Sequence, residues 1–436
     1  MITVTGTAPQ TGKRLNRPMA RGSRIHSFDT AYWRGALRRL PVLLAGLATF
    51  TLVVQVSIAG SFRDTRPSLA LRYAPIDARA RTKLAAAIVS GAQTKEARNS
   101  ARALATDAVK RDPLMPAALR VIAQSHKDGI GMADEKVTAL MLEAQRLSRR
   151  DNPTQLWLAN DNALRGNVNE VIDHFDIALL TSNAARPNIF PLLLATTADP
   201  RFRQALVQKL RERPDWTKAF LDHAVRNGSN LDFATDIAPQ FLDSELPDDR
   251  VMIRTLMERL TAAGEFDRAW QVRQELSGER TSDVVPLRNG DFESVDEFAP
   301  FGWTLADDPE LWAARERDTG DGYLLRIAAY NGRSGEVARQ LIKLRPGAYQ
   351  IRLDAGDIPA NAYERPQLRV SCANDSEAEL LELAPASAGA GPRSFAGRFT
   401  VPGGCSFQWL AITAAGEGSL RDPLPWIDNI RIAPAR

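Results

Sequence analysis

Two cysteines, four histidines and 7% aromatic residues in 436 leave little material for reaction chemistry. His26 lies in a basic leader, while His126, His174 and His223 fall on helical segments, where they read as packing or surface residues. No nucleophile motif, phosphate loop or paired-cysteine metal site is present. Paired carboxylates for glycoside hydrolysis meet in space rather than in sequence, so the sequence assigns none. The chain is therefore expected not to be an enzyme. A strong excess of one charge is missing too: the net charge is +4, but it is unevenly spread. Residues 1–39 hold eight basic residues against Asp29 alone, whereas residues 281–436 hold sixteen basic and twenty-two acidic ones, a net of −6. The basic stretch does not alternate with aromatics in a folded domain, which argues against a nucleic-acid partner. At this length one core does not suffice, and two or three domains are expected.

What is present begins with the apolar run "LPVLLAGLATFTLVVQVSIAG", residues 40–60, which carries no charge. As a helix it is long enough to cross about 30 Å of hydrocarbon. Arg34, Arg38 and Arg39 abut its start, with Tyr32 and Trp33 placed as interface anchors. The excess positive charge before the run predicts a cytoplasmic leader over 1–39, a transmembrane helix over 40–60 and an exported remainder. That describes a single-pass protein of a bacterial inner membrane with its bulk in the periplasm. A cleaved signal peptide is the rival reading, because "SIA" at 57–59 is a small-x-small pattern, and a buried soluble helix is a third. Pro41 is expected in the first helical turn, where proline is tolerated.

Residues 61–80 read as a linker, and helical periodicity fills 81–280. In "NPTQLWLANDNALRGNVNEVIDHFDIALLTSN", residues 152–183, two stretches of about a dozen residues flank Arg165-Gly166-Asn167. Val171, Ile172, Phe175, Ala178 and Leu179 make one apolar stripe on the second, and Gly166 permits the tight turn between them. This unit resembles the tetratricopeptide repeat, with Leu158 and Ala159 at the paired large and small sites, Gly166 at the turn, and Phe175 and Ala178 at the packing sites. Similar units are placed at 82–115, at 116–151 with extra residues in its turn "GIGM", and at 256–276. Pro187, Pro191, Pro200, Pro214 and Pro239 interrupt the phase over 186–250. The resemblance implies an α-solenoid whose concave face receives a protein partner, with Asn160 near the groove.

Beyond Ser282 the period changes from 3.6 to 2. "AYQIRLDAG" puts Tyr349, Ile351 and Leu353 on one face, "QLRVSCA" does so with Leu368, Val370 and Cys372, and "CSFQWLA" with Cys405, Phe407 and Trp409. Residues 283–436 are therefore expected to form an antiparallel β-sandwich. Both cysteines then point into its core, and a Cys372–Cys405 disulfide is expected in an exported domain. An opening "NGDFE", a following "GW", a middle "QLIKLRPGAYQIRL" and a closing "WIDNIRI" resemble the jelly-roll carbohydrate-binding modules, a galactose-binding-like fold. The fold class is thus multidomain α plus β: transmembrane helix, repeat solenoid and jelly roll.

Sugar recognition needs exposed aromatic rings beside amides and carboxylates. Trp303, Trp409 and Trp426 sit in strand-like alternation and are assigned to the core; Trp312, Tyr330 and Tyr363 lie in loop-like segments beside Asp, Arg or Asn and are the candidate glycan contacts. The resemblance implies a structural calcium tying the first strand to the last, with Asp291, Glu293 and Asp428 in the matching segments. The leading expectation is a non-enzymatic scaffold in assembly or export of a surface polysaccharide, its repeats holding a protein and its sandwich touching glycan. A pure protein–protein scaffold with the sandwich as docking domain, and a glycan-active enzyme, are the alternatives.

Overall fold

The computed structural model describes residues 30–126, 134–229, 231–277, 287–295, 298–318, 322–386 and 393–435. Most of the basic leader, the "GIGM" turn and the boundary near 281–283 lie outside the described residues. The chain divides into two compact units, residues 1–127 and 128–436.

The first unit contains α1 (Thr30–Phe62), α2 (Pro67–Tyr73), α3 (Ala78–Ser90), α4 (Lys95–Arg111) and α5 (Pro116–His126). Helix α1 includes a stretch, Leu44–Phe62, long and apolar enough to cross a membrane. It begins ten residues before the apolar run, so Pro41 stands inside the helix rather than in its first turn. Leu47 and Phe50 are 63% and 67% exposed. Helix α2 falls in the expected linker, with Pro67 in its first turn. Asp77 caps α3 and Thr94 caps α4, each accepting from backbone N–H groups of the first turn. Helices α3, α4 and α5 meet through Ala85, Ala101, Ala105 and Val121, all fully buried. Side chains this small let the helix backbones approach closely.

The second unit opens with α6 (Glu135–Leu147), α7 (Asn152–Arg165), α8 (Val168–Thr181), α9 (Arg186–Thr196), α10 (Pro200–Arg211), α11 (Thr217–Asn227), α12 (Asp232–Ile237), α13 (Pro247–Ala262) and α14 (Phe266–Ser277). Gly166 ends α7 in the left-handed region at φ 77°. Only glycine takes that conformation without strain, which fixes the α7–α8 turn where the sequence places it. Val171, Ile172, Phe175, Ala178 and Leu179 of α8 are buried as expected. The proline-rich region is helical but broken: Pro187 and Pro200 sit in first turns, Pro191 lies inside α9, and Pro214 separates α10 from α11.

Eleven strands follow among the described residues: β1 (Thr304–Leu305), β2 (Asp307–Asp308), β3 (Leu311–Arg317), β4 (Tyr323–Ala329), β5 (Arg333–Ile342), β6 (Gly347–Gly356), β7 (Gln367–Cys372), β8 (Asp375–Leu383), β9 (Arg393–Val401), β10 (Gln408–Gly416) and β11 (Trp426–Pro434). They form two antiparallel sheets, one in the order β1-β5-β10-β7-β8 and the other β2-β3-β4-β11-β6-β9. Leu325, Ile327, Ile351, Leu353, Leu368, Val370, Leu410, Ile412 and Ile427 fill the space between them. Cys372 and Cys405 are joined by a disulfide in this core, with Cα atoms 5.5 Å apart.

One expected phase is wrong. Cys405 is in the core, but Phe407 and Trp409 are not on its face, because residues 405–407 are irregular and β10 begins only at Gln408. The core-facing residues of β10 are Leu410, Ile412 and Ala414, whereas Phe407 and Trp409 belong to the cluster built by the helices.

Candidate ligand-binding face

The two outer faces of the sandwich have different fates. Phe407 packs against Phe266 and Trp270 of α14 at centroid distances of 5.9 and 6.4 Å, and Phe301 lies 5.1 Å from Trp270. Lys343 donates to Asp267 at 3.0 Å, and Arg273 stacks over Trp270. Phe301, Leu341 and Phe407 share one core with the helices. The outer face of the β5–β10 sheet is therefore spent on holding the sandwich to the helical part.

Among the described residues, the helices that cover that face share no core with the outer face of the other sheet. Because Leu325, Ile327, Ile351, Leu353 and Ile427 point inward, their alternates Arg326, Arg352, Asp354, Trp426 and Asp428 point outward. Trp426 stands opposite both Arg326 and Gly356. A Cβ at Gly356 would lie 2.5 Å from the indole carbons, so the absent side chain is what lets the ring lie across β6. Trp312 projects from the same face on β3, opposite the small Ala328. Between the two half-buried indoles, Arg326 is fixed by Glu316 at 3.3 Å, Asp357 at 3.4 Å and the Leu424 carbonyl at 2.9 Å. Two flat apolar rings flanking a fixed guanidinium can receive a chain of rings with polar edges.

Further along the face Asp428 stands opposite Asp354, whose Oδ1 accepts from the Ser394 hydroxyl at 2.5 Å. Burial first, and then the negative charges of Asp354, Asp291 and Glu293, push the Asp428 carboxyl up to about 6. The three residues expected to hold calcium are thus brought into one electrostatic neighbourhood. Two of the three have hydrogen bonds of their own: Glu293 Oε1 accepts from the Tyr323 N–H at 2.8 Å, and Asp428 accepts from the backbone and side-chain N–H groups of Asn429. Among the described residues no group of three or more His, Cys, Asp or Glu side chains is arranged to hold a metal ion.

Of the expected glycan contacts, Trp312 and Tyr330 lie near each other across β3 and β4, and Tyr363 lies in a separate loop. Trp312 is in strand β3, not in a loop. Tyr330 lies in the β4–β5 turn, where its hydroxyl donates to the Pro309 carbonyl at 2.5 Å and pins that turn. Tyr363 is 56% exposed beside a cavity of about 260 Å³ at the loop end, lined by Glu364, Pro366, Arg421 and Leu424, with Arg421 paired to Glu364 at 3.1 Å. Trp303 is in the core as expected, its Nε1 donating to the Asn289 carbonyl. Trp426, assigned to the core, is on the open face. Sequence alternation groups it correctly with Asp428 but does not say which of the two faces is inward. Asn160 is an exposed side chain of α7. His174 is buried with Nδ1 at 2.9 Å from Gln155 Oε1, and burial holds its imidazole below the usual range, which suits packing.

An antiparallel two-sheet sandwich with one sheet face open is the class that fold and site define. No family model matches the chain, and no curated protein matches it. Among solved structures, it is similar to the carbohydrate-binding module TmCBM61 in complex with β-1,4-galactotriose, at 14% identity and a TM-score of 0.26, over 35% of this chain and 99% of that one. CBM4 aligns at 19% identity and a TM-score of 0.26, over 34% and 99%. The enzymatically active domain of tailspike protein 4 from bacteriophage CBA120 aligns at 12% identity and a TM-score of 0.26, over 35% of this chain and 22% of that one. Likenesses this slight do not bear on function.

Proposed function

We propose that this protein is a non-enzymatic, membrane-anchored glycan-binding protein of the bacterial envelope, serving the assembly or export of a surface polysaccharide. The observation that carries the reading is the open sheet face, on which Trp312 and Trp426 flank a fixed Arg326 while the opposite face is buried under α14. Pyranose rings stack their C–H faces on such indoles, and the flanking charged groups bond their hydroxyls. An inner-membrane anchor is supported by α1, whose apolar side chains are exposed to their surroundings. Export of the rest is supported by the disulfide, since such bonds persist in oxidising compartments. We read the helices as tetratricopeptide-like repeats that hold a protein of the same machinery, with the exposed Asn160 toward that partner.

Two measurements test the reading. A reporter active only after export, fused after Arg436, should be active; activity of a cytoplasmic reporter there instead rejects the topology. The full chain in detergent should be retarded in gels containing the host's own surface polysaccharide. Retardation should weaken in Trp312→Ala and Trp426→Ala, and no retardation with any of these polymers favours a protein–protein scaffold.

A further inference from the structure

The open sheet face carries three arginines that have no carboxylate partner among the described residues. Arg431 of β11 stands directly opposite Arg352 of β6, and Arg398 of β9 stands opposite Gln350, two residues along the same strand. All three are exposed. Arg352 reaches only the Gln350 amide oxygen, at 3.4 Å, and among the described residues no carboxylate pairs with any of them. Like charges directly opposite on neighbouring strands destabilise a sheet. They stand in a region whose net charge is −6 over residues 281–436, where the rest of the surface offers acids in excess.

The cluster also depends on a departure from regular strand geometry. Between Asp428 and Arg431 the register with β6 shifts, three steps on β11 matching two on β6. Asn429 takes a left-handed φ of 52° there, and the Ile430 N–H bonds the Gly290 carbonyl at 2.8 Å. Without the extra residue Arg431 would alternate to the core side. With it, Asp428 and Arg431 both face outward, and Arg431 comes level with Arg352.

Resting on the glycan reading above, we propose that the ligand is an anionic glycan: pyranose rings at Trp312 and Trp426, acidic substituents at Arg352, Arg398 and Arg431. Along β6 the arginine row lies four residues from Gly356, under the Trp426 indole, roughly 14 Å away. Carboxylate, sulfate or phosphate groups on a sugar chain match the planar donor fork of arginine. A polymer charged once per repeat also tolerates the acidic surroundings better than a nucleic acid with a charge on every residue. Asp354 and Asp428, lying between the indole and the arginines, would face uncharged parts of the chain.

The test uses the full chain in detergent with polygalacturonate, alginate and hyaluronan, each beside its carboxyl-reduced, uncharged derivative. Expected is binding of at least one acidic polymer tenfold or more tighter than of its reduced form, weakening roughly tenfold between 50 and 200 mM salt. The triple variant Arg352→Gln, Arg398→Gln, Arg431→Gln should erase that preference and keep the melting temperature. The salt response of the unaltered protein gives the same information if the variant does not fold. Equal binding of acidic and reduced polymers, weakened by Trp426→Ala but not by the arginine variant, overturns this proposal and leaves the glycan reading standing. No binding to any glycan overturns both. Tighter binding to single-stranded DNA or to phosphatidylglycerol vesicles than to every acidic polymer also overturns it.

Discussion

Replacing Phe407 with alanine should unfold more than the sandwich that contains it. The ring is 3% exposed and sits among Phe266 and Trp270 of α14 and Phe301, with centroids 5.9 to 6.5 Å away, and the Lys343 ammonium lies 4.6 Å above it. Truncating a buried phenylalanine costs about 3 to 5 kcal/mol, part lost transfer energy and part the cavity left behind. Neighbours drawn from a helix and from two loop segments of the sandwich cannot all collapse into that cavity, so the upper half of the range applies. Residues 128–436 form one compact unit. If they unfold together, the unfolding entropy of a unit this long is about 0.6 kcal/mol per degree, and about 4 kcal/mol lowers the midpoint by about 6 °C. Calorimetry of the purified protein should show the main transition shifted as a whole, with helical and sheet signals by circular dichroism moving together. A helical transition that stays in place while the sheet signal moves would refute a shared core.

Three further outcomes follow from single sites. Mass measurement after alkylation without reductant should add no alkyl group to the unfolded protein, because Cys372 and Cys405 are bonded; Cys372→Ser with Cys405→Ser should lower stability by about 3 to 4 kcal/mol, from a closed loop spanning 33 positions. The folded Asp428 carboxyl, pushed up to about 6 from an ordinary value of 3.8, keeps its proton to higher pH than in the unfolded chain, so its contribution falls as pH rises from about 4 to 6. Since the group is half-buried and screened, the loss is discounted to about 1 kcal/mol; Asp428→Asn should raise the melting temperature at pH 7.5 but not at pH 4, and an equal rise at both would count against the assignment. Gly356→Ala should displace the Trp426 indole, read as a red-shifted tryptophan emission and a loss of glycan affinity, whereas Gly403→Ala, with open space at its Cβ position, should do neither.

The sequence made some of these elements legible and hid others for physical reasons. Tyr349, Ile351 and Leu353 announce β6 because one of its faces is buried and the other wet, so the period of two survives. Gly166 announces the α7–α8 turn because no other residue takes its backbone conformation freely. Phe407 and Trp409 misled because their face is buried too, under α14, so apolar residues on both sides of β10 removed the contrast that alternation relies on. Gln408 compounds this: a polar residue at 0% exposure, its amide donates to the Cys405 carbonyl at 2.5 Å and its oxygen accepts from Leu344 at 2.9 Å, so it reads as surface while being buried. Trp426 falls on the expected strand but on the opposite side from the core, because the cue is Gly356 on a neighbouring strand seventy residues earlier. The arginine cluster was invisible because it needs three strands in register and a bulge at Asn429, and neither is written in local pattern.

The most direct measurement of the central claim is the affinity of the full chain for a surface polysaccharide, compared between Trp426→Ala and Tyr363→Ala. Trp426 lies on the open sheet face, and Tyr363 stands by the loop-end cavity. If the sheet face binds glycan, Trp426→Ala weakens binding tenfold or more and Tyr363→Ala leaves it within twofold. Full binding in Trp426→Ala, with the loss in Tyr363→Ala, would put the site at the loops and not on the sheet face.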